Sequence, residues 1–164
     1  MSSQTLPLAR EVGQALLARG WRIGTAESCT GGLLAAAITD VAGSSGWFDE
    51  GLVTYANASK QRLLAVPVDV LDSQGAVSQP VVEAMVKGVL ARGADVAVAT
   101  SGIAGPDGGS DEKPVGTVWF AWALASRVFS ERKVFSGDRI AVRTQATEFA
   151  LSQLLQLLEN DSPT

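Results

Sequence analysis

The residues best suited to do chemistry lie together at positions 25–32, which combine hydroxyls, a thiol, a carboxylate and two glycines. A short apolar run enters this stretch, and a run rich in leucine and alanine leaves it. The pattern predicts a turn from a strand into a helix. The free N–H groups at such a helix start can stabilise an anion or a developing oxyanion. The stretch therefore predicts the centre of a site.

Three side chains in this stretch each allow a catalytic and a structural interpretation. Ser28 could be a nucleophile, or an N-cap or turn residue before the following helix. Cys29 could be a rival nucleophile whose pKa is lowered by the helix start, or a buried packing residue. Glu27 could be a base, or an acid favoured near the positive end of the helix. If Ser28 attacks a carbonyl, the N–H groups of Cys29, Thr30 and Gly31 could hold the oxyanion.

The sequence contains no histidine. This absence excludes Ser-His-Asp and Cys-His arrangements and histidine-based zinc or iron sites. A hydrolase of this composition needs another base, or a metal-bound water held by residues such as Asp107 or Glu27. Lys60 could be that base if its pKa is lowered, or it could be an ordinary solvated lysine. Tyr55 could position or relay the proton, or it could pack at the edge of the core.

A glycine-rich segment at positions 101–116 follows a run that predicts a buried strand. It lacks the Gly-Lys-Ser/Thr ending of a Walker loop and the glycine spacing of dinucleotide folds. Long loops at the carboxyl ends of strands in α/β sheets commonly bind ligands. We therefore predict a substrate-binding segment. Its candidate residues are Thr100, Ser101, Gly102, Gly105, Gly108, Gly109 and Lys113.

A cation candidate lies between the last predicted strand and the last predicted helix. Arg139 would lie in the first turn of that helix, where the helix dipole disfavours a positive charge. A cation in this place suggests an anionic partner such as phosphate, although a surface salt bridge is an equal alternative. Arg143 follows one turn later.

Hydrophobic periodicity predicts interleaved helices and strands in the order α-β-α-β-α-α-β-β-β-α. Each polar cluster begins where a predicted strand ends, which favours one site over four separate ones. The pattern predicts an α/β fold, a three-layer α/β/α sandwich with a mixed sheet, in a single domain over residues 1–164. The predicted strands are 21–26, 47–55, 95–100, 117–125 and 128–135. The predicted helices are 6–19, 31–39, 57–64 with Asn57 as N-cap, 79–92 with Ser78 as N-cap, and 139–159 capped by Asp138, with one further turn near Val70.

Composition narrows the possible functions. The 164 residues are 46% hydrophobic and 18% charged with a net charge of −4, so we expect a sizeable core and no nucleic-acid partner. No apolar run is long enough to cross a membrane, and residues 1–10 lack the pattern of a signal peptide. We expect a cytoplasmic protein with a small-molecule partner and no cofactor or metal ion. A symmetric homodimer through the helix at 81–90 or the last helix is the expected assembly.

The four polar clusters together resemble the CinA C-terminal domain family, and the resemblance spans nearly the whole chain. The matching motifs are residues 25–32, residues 54–57 with Lys60, residues 101–109 with 113–116, and residues 137–139. The resemblance implies a three-layer α/β/α fold. It also implies hydrolysis of the carboxamide of nicotinamide mononucleotide to nicotinate mononucleotide and ammonia, in pyridine-nucleotide recycling.

The resemblance also implies roles for individual residues. Ser28 stands at the position of the family's serine nucleophile, Lys60 at that of its lysine base, and Tyr55 at that of the accompanying tyrosine. The glycine-rich segment and Arg139 match the elements that bind the nucleotide. Arg139 is the first choice of cation for the substrate phosphate, and Lys113 is the second. A non-catalytic nucleotide sensor with the same pocket is the alternative function, and an amidase that uses Cys29 is a third.

Overall fold

A five-stranded mixed sheet forms the centre of the computed structural model, which describes residues 2–161. Its strand order is β2-β1-β3-β4-β5. Strands β1, β2 and β3 run parallel, and the β4–β5 hairpin adds two antiparallel strands beside β3. The strands are β1 (Ile23–Glu27), β2 (Phe48–Val53), β3 (Val96–Gly102), β4 (Thr117–Leu124) and β5 (Arg127–Val134).

The helices cover both faces of this sheet. One core lies between the sheet and α1, α2 and α6, and a second core lies between the sheet and α3, α4 and α5. The structure confirms the predicted three-layer α/β/α fold. None of the helices within residues 2–161 is both long and apolar enough to cross a membrane. The helices are α1 (Thr5–Arg19), α2 (Leu33–Thr39), α3 (Asn57–Leu64), α4 (Val68–Gln74), α5 (Gln79–Ala91) and α6 (Arg139–Asn160), with a short 3-10 turn at Ser44–Gly46.

The two central strands are buried on both faces because helices pack above and below them. All five residues of β1 and the first six of β3 are buried. Small and β-branched residues such as Ala97, Val98 and Ala99 fit this environment, in which neither face of the strand meets water. The near-continuous apolar run that predicted a buried strand at 95–100 is thus explained by the layered architecture.

The topology brings the polar clusters to one edge of the sheet. Because β1, β2 and β3 are parallel, their carboxyl ends lie at the same edge. Strand β4 begins there and β5 ends there, since Thr117 pairs with Val134 at one end of the hairpin. The segments that follow β1, β2, β3 and β5 therefore converge. This is the edge at which open α/β sheets bind their ligands.

Several predicted boundaries are wrong, for identifiable reasons. Ser101 and Gly102 are strand residues, because β4 extends the ladder by pairing with them. The second helix begins at Leu33 and not at residue 31, since the two preceding glycines have left-handed backbone angles. Asn57 is the first helical residue and not the cap, a position that Ala56 occupies. The stretch after Pro67, predicted to hold one turn, forms the whole helix α4.

Helix α5 packs closely on α3, the helix that carries Lys60. The contact occurs at Gly88, where an added Cβ would overlap the backbone of Leu64, including its carbonyl oxygen. A backbone atom cannot move aside without moving α3 itself. The glycine therefore sets the distance between the two helices, and through it the position of the lysine.

We expect Gly88→Ala to destabilise the protein by about 1–3 kcal/mol through overpacking. The loss should occur although alanine has a helix propensity higher than that of glycine by about 1 kcal/mol. Urea unfolding would measure it. Gly46→Ala is the control, because its added methyl would meet only Leu17, at an ordinary 3.6 Å. Equal stability of Gly88→Ala and wild type would contradict this account of the α3–α5 contact.

Candidate active site

Ser28 follows β1 directly and begins a tight turn, residues 28–32, which we call the nucleophile turn. The Ser28 N–H donates to the Thr100 carbonyl at 3.0 Å, and the Gly31 N–H returns to the Ser28 carbonyl at 3.0 Å. Gly31 and Gly32 have φ angles of 58° and 104°, which other residues rarely adopt. The N-cap of α2 is Gly32, so Ser28 does not cap this helix but is a turn residue, as the structural alternative also allowed.

The Glu27 side chain, at the last position of β1, accepts hydrogen bonds from N–H groups in the first turn of α2. Its Oε1 accepts hydrogen bonds from the Leu34 N–H at 2.9 Å and the Thr30 hydroxyl at 2.6 Å. Its Oε2 accepts from the Ala35 N–H at 3.1 Å. A carboxylate in this place satisfies N–H groups that the helix leaves free and complements the helix dipole. These contacts agree with the interpretation of Glu27 as an acid at the positive end of the helix. None of them involves Ser28.

Lys60 is fully buried, and its ammonium group touches the Ser28 hydroxyl. Nζ lies 3.1 Å from Ser28 Oγ, 2.7 Å from the Thr54 carbonyl oxygen and 3.1 Å from the Tyr55 carbonyl oxygen. Burial lowers the pKa of Lys60 to about 8. The interpretation of Lys60 as a solvated surface lysine is therefore wrong.

The three partners of Lys60 match the needs of a neutral amine. An amine has two N–H donors and one lone pair. The carbonyl groups of Thr54 and Tyr55 can accept the two N–H bonds, which leaves the lone pair for the Ser28 hydroxyl proton. The same geometry suits the charged form, whose third N–H would donate to Oγ. Lys60 can therefore take a proton from Ser28 and return it without leaving its contacts.

Cys29 is a buried thiol, 4% exposed. Burial, and next the nearby Glu27 carboxylate, raise the pKa of Cys29 to about 12. Because the thiolate is the nucleophilic form of cysteine, this residue is poorly suited to attack a substrate at neutral pH. The prediction that the helix start lowers its pKa is wrong, since Glu27 already occupies that helix start.

The candidate oxyanion donors differ in their availability. The N–H groups of Cys29 and Thr30 have no acceptor within residues 2–161. The N–H of Gly31 is used by the Ser28 carbonyl, so the structure does not support Gly31 as a donor. The Cys29 and Thr30 N–H groups are therefore the donors that the turn leaves free, one and two residues after Ser28.

Tyr55 has a different place from the one its predicted catalytic role requires. Its side chain is 59% exposed, and its hydroxyl accepts a hydrogen bond from Arg139 Nη2 at 3.1 Å. The hydroxyl bonds to neither Ser28 nor Lys60, and only the backbone carbonyl of Tyr55 reaches the lysine. The structure places Tyr55 at the mouth of the site, beside a cation.

Arg139 connects two of the predicted clusters. Besides the Tyr55 hydroxyl, its guanidinium binds the carbonyl oxygen of Gly105 in the glycine-rich segment at 2.7 Å. Within residues 2–161 it forms no salt bridge, so the alternative of a surface ion pair has no support. A cation at this edge of the sheet, without a carboxylate partner, is suited to an anionic ligand.

The other predicted binding residues fall into two groups, neither of which is shown to bind a ligand. Thr100 and Ser101 are buried strand residues, and the Thr100 hydroxyl lies 2.8 Å from that of Thr30. Three glycines are needed for packing within the protein. An added Cβ would press on Val118 at Gly102, and on Val115 at Gly105 and Gly109.

Two further predicted residues lie on the outer part of the glycine-rich segment. Gly108 is exposed, with a φ angle of 96°. Lys113 donates to the Gln74 carbonyl oxygen at the end of α4, at 2.9 Å. Helix α4 lies in the layer opposite α6, which carries Arg139. The structure thus separates the two cations proposed for the phosphate.

Sequence reasoning missed the contact made by Arg143. Its guanidinium donates to the carbonyl oxygens of Cys29 at 3.0 Å and Thr30 at 3.3 Å. The sequence signal for this contact is spacing. Arg143 lies four residues after Arg139, which is predicted at the site, and residues four apart on a helix share a face. Arg143 thus lies behind the nucleophile turn.

The acidic residues considered as metal ligands do not gather around a common point. Within residues 2–161 there is no group of three or more Cys, Asp and Glu side chains able to hold a metal ion. The Glu27 carboxylate is occupied by α2, and Asp107 is exposed on the glycine-rich segment.

The sequence was compared with known proteins. The profile of the CinA C-terminal domain matches residues 5–158. A relative named nicotinamide-nucleotide amidohydrolase PncC, from Enterobacter agglomerans, is 60% identical over 151 residues, which cover 91% of this chain and 92% of that protein. The protein of the same name from Escherichia coli K12 is 57% identical over 156 residues, with 94% of both chains covered.

Solved structures give the same result for the fold. The crystal structure of a competence-damaged protein (CinA) superfamily protein from Klebsiella pneumoniae is 44% identical, with a TM-score of 0.92 and coverage of 96% of this chain and 99% of that one. The competence/damage inducible protein from Agrobacterium tumefaciens is 40% identical, with a TM-score of 0.92 and coverage of 96% and 97%.

We expect the Cys29 thiol of the folded protein to resist iodoacetamide. A pKa of about 12 lowers its thiolate fraction, and hence its rate at pH 8, by about a thousandfold relative to an ordinary cysteine. Mass spectrometry would follow the reaction. The control is the same protein in urea, in which Cys29 should react readily. A native rate close to that in urea would contradict the burial argument.

Proposed function

We propose that this chain, which belongs to the CinA C-terminal domain family, hydrolyses the carboxamide of nicotinamide mononucleotide to nicotinate mononucleotide and ammonia. One observation supports the chemistry above all others. The Lys60 amine lies 3.1 Å from the Ser28 hydroxyl inside the protein, so a nucleophile and a base with a lowered pKa are in contact. The substrate, a nicotinamide nucleotide, is inferred from the names of the similar proteins.

The first half of the reaction forms an acyl-enzyme. Neutral Lys60 accepts the Ser28 proton as Oγ bonds to the amide carbon, and the carbonyl electron pair moves onto oxygen. The Cys29 and Thr30 N–H groups are the available donors for that oxyanion. The oxyanion then collapses and the C–N bond breaks. Lys60 gives its proton to the departing nitrogen, and ammonia leaves.

The second half releases the acid. Lys60 is neutral again and takes a proton from a water molecule, which attacks the ester carbon. Collapse of the second tetrahedral intermediate breaks the bond to Ser28 Oγ, and Lys60 returns the proton to that oxygen. The product leaves as the pyridine carboxylic acid, which loses its proton to solvent, and the enzyme regains its starting protonation state.

The nucleotide phosphate is assigned to Arg139. Its guanidinium forms no salt bridge within residues 2–161 and already spans Tyr55 and Gly105 at the mouth of the site. The start of α2 is unsuitable for the phosphate because the Glu27 carboxylate occupies it. We place the reaction in pyridine-nucleotide recycling. A cytoplasmic location and a dimeric assembly stay predictions from the sequence.

Ammonia release from nicotinamide mononucleotide should fall by about 10⁴-fold or more in both Ser28→Ala and Lys60→Ala, because the two groups act as a unit. The controls are Ser73→Ala and Lys87→Ala, which remove the same side chains from exposed positions on α4 and α5. A coupled assay for ammonia measures all four variants. Unchanged rates in Ser28→Ala or Lys60→Ala would refute the Ser-Lys mechanism.

Other outcomes of the same experiment separate the remaining hypotheses. Tight binding of the nucleotide by calorimetry without any ammonia release would support the non-catalytic sensor. Loss of wild-type activity on chelation would support a metal-bound water. Loss of activity in Cys29→Ser with Ser28→Ala unaffected would support the cysteine amidase.

The pH dependence of kcat/KM should report the neutral fraction of Lys60 in the free enzyme. Since the pKa of Lys60 is about 8, kcat/KM should rise with pH up to about that value and be flat above it. A lysine with an ordinary pKa would extend the rise beyond pH 10. The substrate phosphate titrates near pH 6 and lies below this window. A profile without a rise between pH 7 and 8 would contradict the assignment of the base.

A further inference from the structure

Arg143, one turn after Arg139 in α6, binds the backbone of the nucleophile turn. Its Nε donates to the Cys29 carbonyl oxygen at 3.0 Å, and its Nη2 donates to that of Thr30 at 3.3 Å. Within residues 2–161 no carboxylate forms a salt bridge with it. Its positive charge is therefore directed at the peptide groups that follow Ser28.

Because peptide groups are planar, this contact with a carbonyl oxygen also sets the direction of the N–H group in the same peptide. In a trans peptide, the C=O of one residue and the N–H of the next point in opposite directions. A guanidinium bound to the Cys29 carbonyl therefore fixes the direction of the Thr30 N–H. The Thr30 carbonyl likewise fixes the Gly31 N–H, which closes the turn on Ser28 at 3.0 Å.

We propose that Arg143 is a positioning residue for the oxyanion site and acts through the peptide group between Cys29 and Thr30. The inference rests on the proposed amide hydrolysis. Of the two N–H groups that Arg143 orients, only that of Thr30 has no acceptor within residues 2–161. A cation on the carbonyl also polarises the peptide group, which makes the N–H a stronger donor.

Two further observations support a backbone role for Arg143. Its guanidinium donates to neither Ser28 Oγ nor Lys60 Nζ, so it acts on the reacting groups only through the peptide. Its Nη2 would lie 3.1 Å from a Cβ added at Gly31. The turn is thus shaped to bring its backbone against the arginine.

The first test separates kcat from KM in Arg143→Gln and Arg143→Lys with nicotinamide mononucleotide. We expect kcat of Arg143→Gln to fall by about tenfold or more. The loss should be smaller than the roughly 100- to 1,000-fold loss that follows removal of one oxyanion donor. KM and the midpoint of the pH profile should not change, since Arg139 and Lys60 are intact. Arg143→Lys should be intermediate, because an ammonium lacks the planar fork that spans two carbonyls.

A second measurement does not depend on the physiological reaction. A fluorophosphonate probe phosphonylates an activated serine. The Ser28 Oγ–P bond forms, the P–F bond breaks, fluoride leaves, and the serine proton passes to Lys60. The phosphoryl oxygen needs the same N–H donor as the amide oxyanion. The labelling rate of Ser28, followed by mass spectrometry, should fall in Arg143→Gln by a factor similar to that for kcat.

Arg22→Gln is the matched control. Arg22 also donates to two backbone carbonyls, those of Ser45 at 3.2 Å and Phe48 at 2.7 Å, but at the opposite edge of the sheet. It should leave both kcat and the labelling rate unchanged. An equal fall of kcat in Arg22→Gln, or a raised KM with unchanged kcat in Arg143→Gln, would overturn the role of Arg143.

The remaining outcomes distinguish this inference from the proposed function. If the wild type hydrolyses the nucleotide and Arg143→Gln keeps its kcat and labelling rate, only the role of Arg143 fails. If the wild type releases no ammonia, yet Ser28 is labelled and the labelling slows in Arg143→Gln, the proposed function fails and the role of Arg143 stands. A wild-type Ser28 that resists the probe overturns the role.

Discussion

The burial of one amine governs the chemistry available to this protein. Lys60 has no exposed surface, and its Nζ is held by the carbonyl oxygens of Thr54 and Tyr55 against the Ser28 hydroxyl. A lysine in water is charged at neutral pH and cannot accept a proton. Removal from water disfavours the charged form, so the protein obtains a base from a residue that is normally an acid. The absence of histidine is consistent with this solution.

At the same edge of the sheet, a buried carboxylate and an accessible guanidinium lie in separate places. The Glu27 carboxylate occupies the N-terminus of α2, although a helix start of this kind could have held the substrate phosphate. Burial, and next this carboxylate, raise the pKa of the neighbouring Cys29, which favours Ser28 over Cys29 as the nucleophile of the proposed reaction. The free cationic surface is provided by Arg139, at the mouth of the site. In the proposed function, an internal carboxylate thus keeps the phosphate away from the helix start next to Ser28.

The sequence predicted the layers, the hairpin and the convergence of the polar clusters, because these depend on periodicity and on the rule that parallel strands end at one edge. Pairing across the sheet decided the rest. Ser101 could not be assigned to β3 without knowing that β4 continues beside it. The orientation of Tyr55 and the carbonyl contacts of Arg143 depend on side-chain placement, which a single sequence does not encode in any local pattern.

One consequence follows from the position of β2 at the edge of the sheet. Within residues 2–161 this strand pairs only with β1, and the chain just beyond it supplies both carbonyls that hold Lys60. Edge strands open locally at a lower free energy than the whole fold. Such an opening would admit water to the amine, restore its charge and disable the base, while the rest of the sheet stays intact. We therefore expect heating to inactivate Lys60 through local opening of this strand at a temperature below that of global unfolding.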